Sequence, residues 1–165
     1  MSNVTNMLKT CEYVRIIAID YSKAFDTVKH SELGRKLATV PIWDQVYNWI
    51  VNYIDRRGTH RTKIEGQLSA SCEINASVVQ GSAVGPVSYI LTSRDLKTVD
   101  SRNCLIKYAD DTYLLVASTN EKTVNDELAN IEKWAENNNL KLNRRKSKEL
   151  IVGGKLQKSL MRLMG

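Results

Sequence analysis

The chain has 165 residues, 42% hydrophobic and 25% charged, which suits one compact domain able to bury a real core. No apolar stretch approaches the length of a membrane span, and neither low-complexity tracts nor internal repeats are present. The formal net charge of +6 is uneven: from Lys141 onward there are eight basic residues against the single acid Glu149, so the rest is slightly acidic.

Read in chain order, Val14 to Ile19 is a short apolar run suited to a buried strand, and Asp20 closes it. Ser31 to Thr39 reads as a short helix. Pro41 opens a clearer one, with Ile42, Val46, Trp49, Ile50, Tyr53 and Ile54 as its apolar stripe and Gly58 as its end. The tryptophan and tyrosine of this stripe are expected in the core rather than stacked on bases. Residues 60 to 79 read as strands around a turn at Glu65-Gly-Gln67.

Pro86 predicts a helix running to about Leu96. The stretch from Cys104 to Ala117 is rich in Ile, Leu, Val and Tyr on either side of Asp110-Asp111, the pattern of a tight hairpin with the acids at its tip. Thr119 or Asn120 is expected to cap the next helix, in which Val124, Leu128, Ile131 and Ala135 share a face and Asn137-Asn-Asn139 marks the stop. Short strands follow at Leu140–Leu142 and Glu149–Val152, closed by Gly153-Gly154. Strands packed on helices around a central antiparallel hairpin define an α+β fold. The three cysteines, Cys11, Cys72 and Cys104, have no metal-like spacing and read as reduced thiols. The N-terminus lacks the apolar core of a signal peptide, and the expected location is intracellular, nuclear or cytoplasmic.

Adjacent carboxylates repel and persist at low cost where a cation or solvent neutralises them. Asp110 and Asp111 alone fit a solvated turn. With Asp20 ending another strand, they also fit an oxygen-rich cluster of the kind that holds Mg²⁺. Two such ions, about 3.5–4 Å apart, would activate one oxygen and stabilise another in a phosphoryl transfer.

Three ordered motifs bear on the choice: Asp20-Tyr-Ser-Lys-Ala-Phe-Asp26, Gln80-Gly-Ser-Ala-Val-Gly-Pro86 and Tyr108-Ala-Asp-Asp111. In order and spacing they resemble the palm of reverse transcriptases, nearest the non-LTR retrotransposon type. The stretch from Trp134 through Asn138-Asn-Leu-Lys-Leu-Asn-Arg-Arg-Lys-Ser-Lys148 is similar to the segment that follows the catalytic hairpin in that family. The resemblance implies a polymerase palm, an antiparallel sheet with helices on one face, over 14–152 of a single domain 1–165, with 153–165 a basic C-terminal tail. With 19 residues before Asp20 and a short stretch after the last strand, fingers and thumb are expected to be largely missing and to belong to a longer polyprotein.

Site roles follow from the same resemblance. Asp20, Asp110 and Asp111, with the backbone carbonyl of Tyr21, would hold two Mg²⁺ ions, for which Mn²⁺ could substitute. Lys146 would donate a proton to departing pyrophosphate. Phe25 would lie beneath the sugar and select deoxynucleotides, or simply pack in the core. Gln80 and Gly81 would line the incoming nucleotide, and Lys141, Arg144, Arg145 and Lys148 would contact nucleic acid. The partners implied are an RNA template, a DNA primer and a dNTP, and no membrane. Val79 stands where the family usually has proline, and Thr92-Ser-Arg-Asp-Leu96 where it usually has an Asn-Asp pair. The function implied is RNA-directed DNA polymerisation. Its alternatives are a truncated, catalytically silent palm that at most binds nucleic acid, and a nucleotide cyclase, against which Phe25 and Gln80-Gly81 argue.

Overall fold

A computed structural model of the chain describes residues 2–55, 59–73, 76–77 and 84–153. Two compact units are distinguished by their contacts, one formed by Met1–Ala24 with Ser93–Gly165 and the other by Phe25–Thr92.

The first unit opens with a short helix, α1 (Ser2–Met7), followed by β1 (Tyr13–Ile19) and β2 (Tyr21–Ser22). Further along come the hairpin β7 (Cys104–Tyr108) and β8 (Asp111–Ala117), and finally β9 (Lys141–Leu142) and β10 (Lys148–Gly153). The main sheet has the order β10-β1-β8-β7, antiparallel throughout. Its register sets Ile17 between Glu149 and Leu114, and Ile19 opposite Thr112. Because side chains alternate along a strand, Ile17, Ile19, Leu114 and Val116 fall on one face, and all four are buried. The apolar run of β1 thus comes from a strand paired on both edges, as its β-branched residues favour.

That face is covered by the helix α6 (Val124–Asn137). Leu128 and Ile131 line a small cavity of about 50 Å³ together with Ile17 and Ile19. Arg15, on the same face, is buried and paired with Glu121 and Glu149. The expected capping at Thr119 or Asn120 is not what starts α6. Residues Ser118–Thr123 form a 3₁₀ turn first, and Asn120 is instead buried, its amide donating to Asn103. Glu127 explains the substitution. Wholly buried in α6, its carboxylate accepts the backbone N–H groups of Val99 and Asp100 and the amide of Asn103 at 2.8–2.9 Å. Asn120, which looked like a cap, is instead recruited to the network that fixes the loop leading into β7.

In the second unit, α2 (Ala24–Thr27), whose first residue belongs to the other unit, leads to α3 (His30–Leu37) and α4 (Asp44–Asp55). The helix expected from Pro41 begins at Asp44, whose carboxylate sits in the first turn, where the helix dipole favours a negative charge. Its stripe is less buried than expected: Ile50 is enclosed, but Trp49 is 59% exposed and stacks on Tyr53. Of the strands expected over 60–79, the described residues form four two-residue pieces, β3 (Thr59–His60), β4 (Lys63–Ile64), β5 (Gln67–Leu68) and β6 (Cys72–Glu73), paired β3 with β6 and β4 with β5. The expected turn is there, with Glu65 and Gly66 both at positive φ. Helix α5 (Val84–Ser93) starts two residues before Pro86, which still lies in the first turn, where its missing N–H costs nothing. Gly58, part of the 74–79 stretch and the C-terminal tail lie outside the described residues.

Candidate active site

The antiparallel register decides where the acids fall. Ile19 is opposite Thr112, so Asp20 and Asp111 are the next residues along adjacent strands at the same end of the sheet. Tyr108 pairs with Asp111, which leaves Ala109 and Asp110 as the two turn residues. Ala109 takes φ +50°, a conformation that alanine adopts only at some cost and that a two-residue hairpin turn demands. Asp110 thus sits at the tip, and the topology carries all three carboxylates to one end of one sheet. Asp20 and Asp110 are half-buried and Asp111 is exposed. In kind these oxygen donors suit a hard cation. In arrangement, no group of three or more His, Cys, Asp or Glu side chains among the described residues stands ready to hold a metal ion.

Asp20 also lies at a break between two ladders. Ala18 pairs with Lys148 on one side and Tyr21 with Leu142 on the other. The segment between, residues 143–147, forms a turn with the N–H groups of Lys146 and Ser147 on the carbonyl of Asn143. Lys146 is exposed on this turn. Next to Asp20, Tyr21 is buried with its ring edge-on to Trp134 at 6.0 Å, and the indole N–H of Trp134 donates to Asp95. Burial pushes the Tyr21 phenol up to about 12, with the nearby Thr112 side chain opposing the shift. Nothing in local spacing joins Tyr21 to Trp134, which lies 113 residues further along the chain.

The basic residues are exposed but not uniform in surroundings. Lys141 and Lys148 lie on β9 and β10, Arg145 on the turn, and Arg144 is paired with Glu132 at 2.6 Å. Lys141, Arg144 and Arg145 share a cleft of about 480 Å³ with Glu132 and Glu136, so the charge there is mixed. Within the second unit, half-buried Phe25 rests against the buried ring of Tyr89, centroids 5.2 Å apart. Gln80 and Gly81 lie outside the described residues. The cysteines are free. No helix among the described residues is long and apolar enough to cross a membrane.

With the sheet, the hairpin and the acids at its end in place, comparison with known proteins defines the class. The family model for "Reverse transcriptase (RNA-dependent DNA polymerase)" matches residues 2–164. The chain belongs to the reverse transcriptase family, and its relatives place it with the non-LTR retrotransposon type. It is 32% identical over 146 residues to the RNA-directed DNA polymerase from mobile element jockey of Drosophila melanogaster. It is 30% identical over 150 residues to the probable RNA-directed DNA polymerase from transposon BS of the same organism. Each match covers 82% of this chain, which spans only 16% of the relative's length. In fold it is similar to apo telomerase from Candida tropicalis, with a TM-score of 0.67 at 14% identity, covering 90% of this chain and 31% of that one. The telomerase bound to a fragment of telomeric RNA gives 0.63 at 15% identity, over 91% and 28%. The α+β palm expected from the sequence is the fold observed. The family generally uses divalent metal ions.

Proposed function

We propose that this chain is the palm of an RNA-directed DNA polymerase, joining a dNTP to a primer 3′-hydroxyl on an RNA template. The observation that carries the reading is the strand register, which brings Asp20 and the Asp110-Asp111 hairpin to one end of the sheet in a chain of this family. Asp20, Asp110, Asp111 and the Tyr21 carbonyl would hold two Mg²⁺ ions, with Mn²⁺ a substitute. When bound, such a pair lowers the pKa of the attacking hydroxyl and stabilises the leaving oxygen. Lys146, exposed on its turn, gives a proton to pyrophosphate as it leaves. Phe25 supports the sugar and disfavours a 2′-hydroxyl, while Gln80 and Gly81 meet the nucleotide. Lys141, Arg144, Arg145 and Lys148 contact the phosphate backbone, a contribution that salt weakens. The domain reading stands with it: 14–152 as palm within 1–165, and 153–165 as basic tail, in a longer intracellular polyprotein that supplies fingers and thumb.

The test is primer extension by a protein that includes the flanking segments seen in the relatives. Asp110→Asn should reduce extension by at least about a thousandfold, as expected when charge stabilisation worth several kcal/mol is lost. Full activity with that change would remove Asp110 from the metal site. No extension by the unchanged protein would leave the alternative, a palm that keeps the fold and at most binds nucleic acid.

A further inference from the structure

A strand residue in a sheet directs its N–H and C=O to the same neighbour, and both need partners when shielded from water. At Asp20 the regular partner is missing. Between the pairs Ala18–Lys148 and Tyr21–Leu142, two residues on one strand face five on the other, Asn143 to Ser147. The excess bulges into the turn that carries Lys146, and bulges of this kind re-aim the side chains beside them.

The turn nevertheless satisfies Asp20 from both sides. The Asn143 N–H donates to the Asp20 carbonyl at 2.8 Å. The Asp20 N–H donates to Ser147 Oγ at 3.3 Å, and that hydroxyl donates onward to the Asn143 carbonyl at 3.0 Å. The half-buried hydroxyl thus uses its acceptor and its donor together, closing a ring around the backbone of Asp20. The turn does not need the hydroxyl to exist, because the backbone N–H groups of Lys146 and Ser147 already bond the Asn143 carbonyl.

We infer that Ser147 is a positioning residue, whose hydroxyl fixes the backbone of Asp20 to the Lys146 turn and so holds the Asp20 carboxylate where a divalent cation is to be bound. The inference rests on the reading of Asp20 as a metal donor. Threonine keeps both functions of the hydroxyl and alanine keeps neither, so the two substitutions separate chemistry from volume.

The experiment uses the 165-residue chain, with amide hydrogen exchange read by NMR and Mn²⁺ titrated as the paramagnetic probe. Ser147→Ala should speed exchange at the Asp20 amide about tenfold, the fold-change of one ordinary hydrogen bond. It should weaken Mn²⁺ broadening at residues 20, 110 and 111 by about tenfold in affinity, as loss of an outer partner of a metal ligand does. Ser147→Thr should restore both to near the unchanged chain. If Ser147→Ala alters neither, the positioning role is wrong while the metal reading stands. If the unchanged chain shows no Mn²⁺ broadening at these acids, the metal reading falls and takes this role with it. Should Ser147→Ala also unprotect Ile17 and Leu114, the near-isosteric Ser147→Cys, a poor acceptor, becomes the deciding variant. Unchanged exchange and affinity there would overturn the inference.

Discussion

Two hairpins among the described residues turn through two residues, and they end in opposite states. In β7–β8 the turn is Ala109-Asp110, and in β4–β5 it is Glu65-Gly66, each entered at positive φ. The arms of the first are five and seven residues long, and β8 is paired on its far side with β1. The arms of the second are two residues each, in a two-stranded ladder, with Ile64 68% and Leu68 61% exposed. A turn can reverse a chain without giving it a core. A third strand and a covering helix supply that, which agrees with the marginal stability of isolated hairpins.

The largest effect that would test the contrast is a deleted side chain in each arm. Leu114, wholly buried on β8 between Ile17 and Leu105, should cost about 2–5 kcal/mol when replaced by alanine. Leu68→Ala on β5 should stay within about 0.5 kcal/mol. Urea unfolding of both variants checks the prediction, and a comparable loss at Leu68 would mean that the β4–β5 arm is packed in solution.

How far the sequence foretold all this differs by region for physical reasons. In β1, β7 and β8 the residue pattern and the observed strands agree, because Val14, Ile17, Ile19, Leu114 and Val116 are chosen by burial. The ordered motifs also allowed the three acids to be named, and the register places them at one sheet end. Periodicity was misleading in α4, where Trp49 follows the apolar stripe yet lies 59% exposed, since a helical period says which residues share a face and not what covers it. The start of α6 was misplaced because Asn120 answers a tertiary demand, the Asn103–Glu127 network, which no local cap rule contains. Ser147 was visible only as one letter of a motif. Its partner Asp20 is 127 residues away, and nothing in local spacing joins them.

A second, smaller effect belongs to the first unit, on β2 where it pairs with β9, for the segment 59–73 holds no tyrosine. Burial lifts the Tyr21 phenol to about 12 from an ordinary 10, so the unfolded chain ionises first as pH rises. Its contribution is therefore whole below pH 10 and is lost between about pH 10 and 12, amounting to about 2–3 kcal/mol. Tyr21→Phe removes that titration. The stability difference between the two chains, read by urea unfolding across this range, should shift against the unchanged chain. A difference that stays constant from pH 9 to 12 would mean that Tyr21 is solvated.

The smallest contrast uses one glycine from each region. Gly153 closes β10 at φ +89°, and Gly66 lies in the β4–β5 turn at φ +86°. Alanine at either is strained by backbone conformation alone, by about 1 kcal/mol. At Gly66 a methyl group meets nothing within 4 Å, so that strain should be the whole effect. At Gly153 it would come within 2.8 Å of Leu8 Cδ2 and 2.9 Å of the Glu12 carbonyl oxygen. The leucine can rotate away, but the carbonyl belongs to the backbone leading into β1 and has little room to shift. Gly153→Ala should therefore cost about 1 kcal/mol more than Gly66→Ala, read as the difference in their urea midpoints at a common slope. Equal costs would show that the β1–β10 edge yields to a methyl group as easily as an open turn does. The contrast between a packed sheet and an exposed hairpin would then fail at its margin.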